Sequence, residues 1–148
     1  MIQNDRCEVF LDLKGDVVCF VCKGLKQSLD SFGKNITLGV SYKKHLIAGV
    51  IFNDIRPKTD VWLTIYSTDK KWCCRRVLRA VFDIAFNFLE CERASVRVDA
   101  LNQKSKKLVE GLGFQKEGIL RSFEDNGHDA IIYSMLKNEC QWRTIENE

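Results

Sequence analysis

Histidine, proline and long apolar runs are scarce in this sequence, and each shortage limits what the chain can do. Only His45 and His128 offer imidazoles, whereas a structural zinc site needs four ligands, so we expect no resident metal. No serine forms a recognisable triad arrangement with either histidine. The single proline, Pro57, lies in a polar stretch and predicts the end of a strand. No apolar run reaches the roughly 20 residues of a membrane span, and we expect no membrane partner.

A strong excess of charge of one sign is also missing. The 23 basic and 20 acidic residues leave a net charge of +3, which is too small to predict nucleic-acid binding from bulk charge. A local basic cluster at 70–79 keeps a nucleic-acid binder as a lesser alternative. The first residues lack the basic and apolar regions of a secretory signal. Together with an odd number of cysteines, seven, this favours a cytoplasmic protein with reduced thiols.

The pattern of apolar residues predicts the order of strands and helices. Strands are expected at 7–13, 36–42, 46–55, 61–66, 93–101, 114–123 and 130–136. Helices are expected at 16–31 with Asp16 as N-cap, at 72–89, and at 104–112 with Gly113 as the stop. Short connections among the second, third and fourth strands indicate an antiparallel meander. The order predicts one α+β (mixed α/β) domain over 1–148.

The stretch 93–121 organises the rest of the sequence. A predicted strand runs directly into Asn102, and Ser105 follows three residues later at the start of a short helix. Gly113 and Gly118 then interrupt the path into the next strand. Such a strand-to-helix junction is where an α/β protein can hold a ligand that carries phosphates or a thioester. A simple helix N-cap is the alternative interpretation of Asn102.

A second strand-to-helix junction, at 67–76, carries positive charge. It contains Lys70, Lys71, Arg75 and Arg76 at the start of the longest predicted helix. Exposed backbone N–H groups and the helix dipole favour an anion at such a position. The alternative interpretation is that these side chains are solvated cations at the start of a helix and bind no anion. The segment contains no glycine, and side chains limit how closely a backbone can approach a phosphate.

Cysteines and carboxylates give weaker signals. Cys19 and Cys22 form a C-x-x-C pair on the first predicted helix without a second pair, so packing cysteines are the preferred interpretation. The neighbouring Cys73 and Cys74 lie near a helix start, where thiol pKa values fall, but Cys74 also falls on the apolar stripe. Several carboxylates lie near predicted strand ends, where a general base for an amine would fit: Asp54, Glu117, Glu124 and Asp129.

Taken together, these runs resemble the GCN5-related N-acetyltransferases, in particular the branch that includes the ribosomal-protein N-terminal acetyltransferases. The similarity rests on Asn102-x-x-Ser105, on the Gly111-Leu-Gly-Phe114 string and on the last strand. A Met-Leu-x-x-Glu-Cys-x-Trp tail, here 135–142, occurs in small phage-type members. The resemblance covers about 36–142.

The resemblance implies a central, mostly antiparallel sheet with two splayed parallel strands, 61–67 and 93–101, flanked by helices. Acetyl-coenzyme A would lie in the gap as co-substrate, with its pantetheine chain along Ile65, Tyr66 and Ser67. Its pyrophosphate would lie on Lys70, Lys71, Trp72, Cys73, Cys74, Arg75 and Arg76. The family pattern Gln/Arg-x-x-Gly-x-Gly/Ala aligns with 68–73, where Lys71 replaces the glycine and Cys73 the small residue.

The implied reaction is direct attack of a primary amine on the thioester, with the oxyanion held by backbone N–H groups. Val109 stands where many members place a tyrosine as proton donor, so Ser105 is the candidate acid and Glu117 the candidate base. Asn102 would contact the pantetheine or order the loop. The acceptor could be a protein N-terminus, a lysine or a small amine, with a homodimer as an open option. The rival hypothesis is a coenzyme-binding or protein-interaction module without catalysis.

Overall fold

A seven-stranded sheet forms the centre of the molecule, which is described by a computed structural model over residues 5–145. The first four and the last three residues of the domain predicted over 1–148 lie outside this range. The prediction that the first residues carry no secretory signal therefore falls partly on residues that are not described. The strands are β1 (Cys7–Leu11), β2 (Ile36–Tyr42), β3 (His45–Arg56), β4 (Asp60–Ser67), β5 (Arg93–Asp99), β6 (Gln115–Leu120) and β7 (Ala130–Leu136). Their order across the sheet is β1-β2-β3-β4-β5-β7-β6.

All neighbouring strands are antiparallel except β4 and β5, which are parallel. The predicted meander of β2, β3 and β4 is confirmed, and so is the predicted mixture of one parallel pair within an antiparallel sheet. β6 is shorter than the predicted 114–123, because the chain turns at 121–122 before the Asp125-Asn126-Gly127 turn. The alternation of apolar residues continued past the point where the pairing with β7 stops at Leu120.

The first helix, α1 (Asp16–Leu25), is shorter than the predicted 16–31. It stops because Lys26 adopts the left-handed conformation, with φ of 57°, and a separate 3-10 turn follows at Leu29–Ser31. The prediction of Asp16 as N-cap is wrong. Gly15 holds that position with φ of 90°, and the Asp12 carboxylate accepts a hydrogen bond from the Val17 N–H at 2.8 Å.

The helix predicted at 72–89 is divided into three parts. A 3-10 turn at Lys70–Trp72 comes first, then α2 (Arg75–Phe82), and then a π-helical stretch at Asp83–Phe88. Periodicity alone did not reveal these changes of pitch, because the apolar stripe continues through all three. The Asp83 carboxylate fastens the C-terminal segment by accepting hydrogen bonds from the Thr144 N–H and hydroxyl at 2.6 and 2.7 Å.

The third helix, α3 (Gln103–Leu112), begins one residue before the predicted start and ends as predicted at Gly113. Gly113 has φ of 108°, a conformation that favours glycine, and its N–H closes on the carbonyls of Val109 and Glu110. After β7 the chain makes a 3-10 turn at Lys137–Glu139. The Trp142 indole donates to the Leu112 carbonyl at 2.9 Å, which ties the C-terminal segment to the end of α3.

Two apolar clusters hold the helices on opposite faces of the sheet. The larger cluster lies under α2 and α3 and includes Phe82, Phe86 and Tyr133, all essentially inaccessible to solvent. The smaller one lies under α1 and joins Val17 and Val21 to Ile51. There α1 approaches the sheet so closely that a Cβ at Gly49 would come within 2.7 Å of side-chain atoms of both valines. Burial of these apolar side chains is the main contribution that holds the helices against the sheet.

All seven cysteines are free thiols, as expected for a reduced protein. Over residues 5–145, no helix is both long and apolar enough to cross a membrane.

Candidate active site

A gap opens between β4 and β5. The two strands pair only at Asp60↔Arg93, Val61↔Ala94 and Trp62↔Ser95. β4 then continues to Ser67 with hydrogen bonds to β3 on one side, and β5 continues to Asp99 with hydrogen bonds to β7 on its far side. Two backbone edges therefore face each other across the gap without pairing, as the family resemblance predicted. Unpaired strand edges are suited to an extended ligand that adds like a strand.

The closed end of the strand pair is held by a polar network. The Ser95 hydroxyl donates to Asp60 Oδ1 at 2.8 Å, and Arg93 Nε lies 3.7 Å from the same oxygen. Arg93 Nη1 donates to Glu117 Oε1 at 2.7 Å, and the Ser134 hydroxyl donates to that oxygen too. Asp60, Ser95 and Ser134 are buried. Each polar group here has a partner within the network, so the contacts lock the strands where they pair.

Glu117, the predicted base, belongs to this closed end. The hydrogen bond from Ser134, together with Arg93, lowers the pKa of its carboxyl. It lies beside the first residue of β5, whereas Ser105 lies beyond the last, about 20 Å away along the strand at about 3.3 Å per residue. The structure therefore does not bring the two predicted catalytic residues together.

Asn102 and Ser105 lie at the open end, where β5 passes into α3. The Asn102 side chain accepts a hydrogen bond from the Ser105 N–H at 3.1 Å, so Asn102 is the N-cap of α3. The Ser105 side chain is half-buried. This hydrogen bond leaves the amide N–H₂ of Asn102 available to a ligand.

Asp99, the last residue of β5, fixes the position of this turn. Its carboxylate accepts hydrogen bonds from Asn126 Nδ2 at 3.0 Å and from the Leu101 N–H at 2.9 Å, and His128 Nδ1 lies 2.9 Å away. The Asn126 and Leu101 contacts and the neighbouring His128 lower the pKa of Asp99 to about 2. Asp99 therefore joins the start of α3 to the β6–β7 turn.

The basic junction between β4 and α2 forms the other lip of the gap. All four of its cationic side chains are exposed, namely Lys70, Lys71, Arg75 and Arg76. The N-cap of α2 is Cys74, whose side chain makes no capping hydrogen bond, so the first N–H groups of α2 have no side-chain acceptor there. That arrangement favours an anion.

The turn before α2 already uses several of its backbone N–H groups in internal hydrogen bonds. The Asp69 carboxylate accepts a hydrogen bond from the Lys71 N–H at 2.9 Å and lies 3.5 Å from Lys71 Nζ. The N–H groups of Cys73 and Cys74 close on the carbonyls of Lys70 and Trp72. These backbone groups are therefore not free to surround a phosphate, which is consistent with the missing glycines.

The remaining predicted coenzyme residues differ in their exposure. The Trp72 side chain is buried in the large cluster, so only its backbone can face a ligand. Cys73 and Cys74 are half-buried and pack against the same cluster. Ile65, Tyr66 and Ser67 are half-buried along the open half of β4. The Tyr66 ring packs edge-on against Phe20 of α1, with centroids 5.3 Å apart, which anchors this half of β4.

A cavity of about 760 Å3 lies on the α1 face of the sheet, beside the closed end of the gap. It is lined by the segment 32–36 and by Asp54, Ile55, Arg56 and Trp62. Asp54 has φ of 48° at an irregularity in the β3–β4 pairing, and this turns it out of the strand. Its carboxylate accepts a hydrogen bond from Asn53 Nδ2 at 3.0 Å, while Asn53 Oδ1 accepts from the Thr64 hydroxyl at 3.0 Å.

Sequence reasoning named Asp54 but missed Trp62 and Thr64. The available signal was the polar pair Asn53-Asp54 inside the apolar run 46–55. The other two candidate bases have structural contacts: Glu124 pairs with Arg97 at 3.1 Å, and Asp129 accepts from the Ser122 N–H at 2.8 Å. Asp54 forms no ion pair within residues 5–145, and its partner there is an amide. Of the four carboxylates it is the most available to an incoming cation.

A metal centre is not evident in the described part of the chain, where no group of three or more His, Cys, Asp or Glu side chains could hold an ion. That the protein holds no resident metal stays a prediction.

The arrangement of strands matches that of several solved acetyltransferases. The spermidine N-acetyltransferase of Vibrio cholerae in complex with CoA and spermine superposes with a TM-score of 0.73 at 17% identity, over 92% of this chain and 98% of that one. The same enzyme in a dodecameric structure gives 0.72 at 19% identity, over 91% and 96%. A further structure described as a probable acetyltransferase gives 0.70 at 20% identity, over 92% and 96%. The chain therefore has the GCN5-related acetyltransferase fold.

A similarity in sequence points the same way over a shorter length. An uncharacterized N-acetyltransferase of Bacillus licheniformis, p20, is 37% identical over 65 residues. That match spans 42% of this chain and 36% of the relative. No protein-family model matches the chain. The particular branch, ribosomal-protein or phage-type, stays a prediction.

Proposed function

We propose that the chain is an acetyl-coenzyme A-dependent N-acyltransferase that moves an acetyl group to a primary amine. The observation that carries the proposal is the gap in the sheet, where β4 and β5 share three paired positions and then separate. The acetyltransferase fold supports it, as do the similar enzyme that binds CoA and spermine and the partial match to p20.

The coenzyme fits this gap as an added strand. Its pantetheine amides would pair with the free edge of β4 at Ile65 and Ser67, while Tyr66 between them bonds toward β3. Its pyrophosphate would lie at the first turn of α2, where the N–H groups of Arg75 and Arg76 and their guanidinium groups favour an anion. The turn at 70–74 would contribute charge from Lys70 and Lys71 more than backbone contacts, because Asp69 already occupies the Lys71 N–H. Trp72, Cys73 and Cys74 would shape this turn from the core side.

The reaction joins the amine nitrogen to the acetyl carbon and then breaks the carbon–sulfur bond. The protein orients the two substrates, takes up a proton from the amine and gives a proton to the leaving thiolate. Ser105 would give the proton that the leaving thiolate takes, and the N–H₂ of Asn102 would hold the pantetheine nearby. The amine must lose a proton as its bond forms, which requires a base on the acceptor side.

Asp54 and Glu117 are the two candidates for the carboxylate that meets the amine, and the contacts favour Asp54. Its carboxylate lines the 760 Å3 cavity beside Trp62, where it can attract and position an ammonium group. Glu117 is held by Arg93 and Ser134. We expect Asp54→Asn to raise KM for the amine at least tenfold, whereas Glu117→Gln mainly lowers stability. The reverse pattern would assign the contact with the amine to Glu117.

Two measurements, made one after the other, test the proposed activity. Acetyl-coenzyme A at 100 times its dissociation constant should add roughly 2.7 kcal/mol to the free energy of unfolding, which a thermal shift detects. Release of free thiol with a panel of amines, including spermidine, lysine and peptide N-termini, then identifies the acceptor class. The absence of a thermal shift at millimolar acetyl-coenzyme A would contradict the proposal.

A coenzyme-binding or interaction module without catalysis is the second candidate, and one observation favours it. The turn at 70–74 uses its backbone N–H groups internally, so a weakened or idle coenzyme site is consistent with it. The module predicts a thermal shift without thiol release for every amine tested. A nucleic-acid binder that used the cluster at 70–79 predicts instead strongly salt-dependent binding. The cytoplasmic location and the homodimer option stay predictions.

A further inference from the structure

A basic cleft, defined here by Arg6, Lys71, Arg75, Arg76 and Arg79, lies between β1 and the start of α2. It encloses about 680 Å3, and the bottom of β1 and the end of β2 close it at Cys7 and Tyr42. None of its lining residues comes from β4, β5 or α3. The basic cleft is therefore on the side of α2 away from the β4–β5 gap, although both share the first turn of that helix.

Most of the charge in the basic cleft is not balanced by the described residues, although Lys71 pairs with Asp69 at 3.5 Å. Five cationic side chains line it against one carboxylate, Asp5, and Asp5 lies 3.6 Å from Lys43, outside the cleft. Arg6, Arg76 and Arg79 form no ion pair within residues 5–145. Like charges gathered around one space repel each other, and bound anions remove that cost.

Aromatic contacts fix two of these cations at the walls. Arg75 lies over the Trp142 ring, with its guanidinium carbon 5.6 Å from the centroid, and Lys71 Nζ lies 4.9 Å from the centroid of Tyr42. A cation held against a ring keeps its outer N–H groups directed to solvent in a limited range of orientations. The cleft is thus partly ordered before any ligand arrives, which lowers the entropy cost of binding.

We propose that the basic cleft binds a phosphomonoester group. Guanidinium forks match the oxygens of such a group and the dianion balances two of the charges. The group could come from the ribose phosphate of the coenzyme, a source that rests on the proposed function because Arg75 and Arg76 belong to both sites. It could also come from a separate small phosphorylated molecule, which the proposed function does not require.

The test compares coenzyme A with 3′-dephospho-coenzyme A, two probes that keep the same pyrophosphate. Both are titrated by calorimetry into the unmodified protein, Arg6→Gln and Arg79→Gln. Lys116→Gln is the matched control, because Lys116 is an exposed cation on β6, far from the cleft in the sheet order. All three substituted positions are solvent-exposed, and thermal melts verify the fold of each variant.

If the coenzyme supplies the phosphate, coenzyme A binds about tenfold tighter than the dephospho form, as expected for a charge-assisted contact. Arg6→Gln and Arg79→Gln then reduce that preference to near one by weakening coenzyme A alone, while Lys116→Gln keeps it.

A second arm covers the other source. Inorganic phosphate is titrated in the presence of saturating dephospho-coenzyme A, and amide chemical shifts of 6–7 and 75–79 are followed. Binding at millimolar phosphate that is lost in Arg79→Gln but kept in Lys116→Gln supports a separate phosphorylated ligand. The inference is overturned if neither the coenzyme preference nor the phosphate-induced shifts depend on Arg6 and Arg79. If neither coenzyme form binds at all, the proposed function fails, and phosphate titration of the free protein alone decides the inference.

Discussion

The two ends of the β4–β5 pair differ in how their polar groups are satisfied. At the closed end, Asp60, Arg93 and Ser95 are partnered with each other and with Glu117 and Ser134. At the open end, two strand edges, the first turn of α2 and the amide of Asn102 have polar groups left over. A fully partnered network stabilises a fold, whereas unpartnered groups on a rigid frame are available to a ligand.

Substitutions at the closed end should therefore change stability, and substitutions at the open end should change binding or turnover. A carboxylate near the centre of the sheet is not a base by its position alone. Glu117 is surrounded by donors that favour its ionised form, so it holds strands together. Asp54, with one amide partner, is free to meet a substrate.

The largest expected effect is at the closed end. Asp60→Ala removes a buried carboxylate that accepts from Ser95 and faces Arg93, so the Ser95 hydroxyl loses its acceptor and Arg93 loses one of its carboxylate partners. We expect a loss of about 3 kcal/mol in the free energy of unfolding, within the range for breaking a buried pair. Urea denaturation measures it, with Asp125→Ala in an exposed turn as the control. A loss equal to that of the control would show that the network does not hold the strands.

The next effect concerns turnover at the open end. Ser105→Ala removes the proposed acid while keeping the backbone N–H that Asn102 caps. We expect kcat to fall about 100-fold, a usual contribution of acid catalysis, with little change in coenzyme affinity. Ser41→Ala, on β2, is the control. An unchanged kcat would remove Ser105 from the mechanism and leave it as a helix residue.

A smaller effect separates the two roles of Asn102. Asn102→Ala removes the cap and should cost about 1 kcal/mol of stability. Asn102→Asp keeps a cap acceptor for the Ser105 N–H but loses the amide donor. If Asn102 also binds pantetheine, Asn102→Asp weakens coenzyme binding several-fold at nearly full stability. Equal coenzyme affinity in Asn102→Asp and the unmodified protein would reduce Asn102 to a helix cap.

The smallest effect is a pH dependence of the turn that carries Asn102. The folded-state pKa of Asp99 is about 2, below its ordinary value of 3.8. A depressed pKa contributes stability that is present above pH 4 and is lost as pH falls toward 2. The difference in free energy of unfolding between the unmodified protein and Asp99→Asn should therefore shrink over that window. Urea denaturation at pH 5, 3 and 2 checks it, and a constant difference would contradict the role given to the Asp99 contacts.

Much of the frame was predictable, because apolar periodicity depends on local sequence. The bounds of β2 and β7 and the Gly113 stop follow from residue type and spacing. The resemblance supplied what periodicity cannot, namely that β4 and β5 separate. The end of α1 was missed because a lysine, Lys26, adopts a conformation that usually indicates glycine.

The site was less predictable than the frame, since its features arise from contacts between distant segments. Asp60 and Ser95 are 35 positions apart, and Arg93 and Glu117 are 24 apart. No local pattern reveals that Glu117 is engaged or that Asp54 is not. The basic cleft likewise brings together two residues that are distant in sequence, Arg6 just before β1 and Arg79 within α2.

Amide hydrogen exchange with and without acetyl-coenzyme A tests the central claim most directly, because it reports on individual backbone groups of β4. We expect saturating acetyl-coenzyme A to slow exchange selectively at Ile65 and Ser67, whose N–H groups face the gap, and at the first turn of α2. Amides at 61–62 and 94–95, already in the paired end, should change little. Slowed exchange spread evenly over the sheet, or no change on the open half of β4, would contradict a coenzyme held between the two strands.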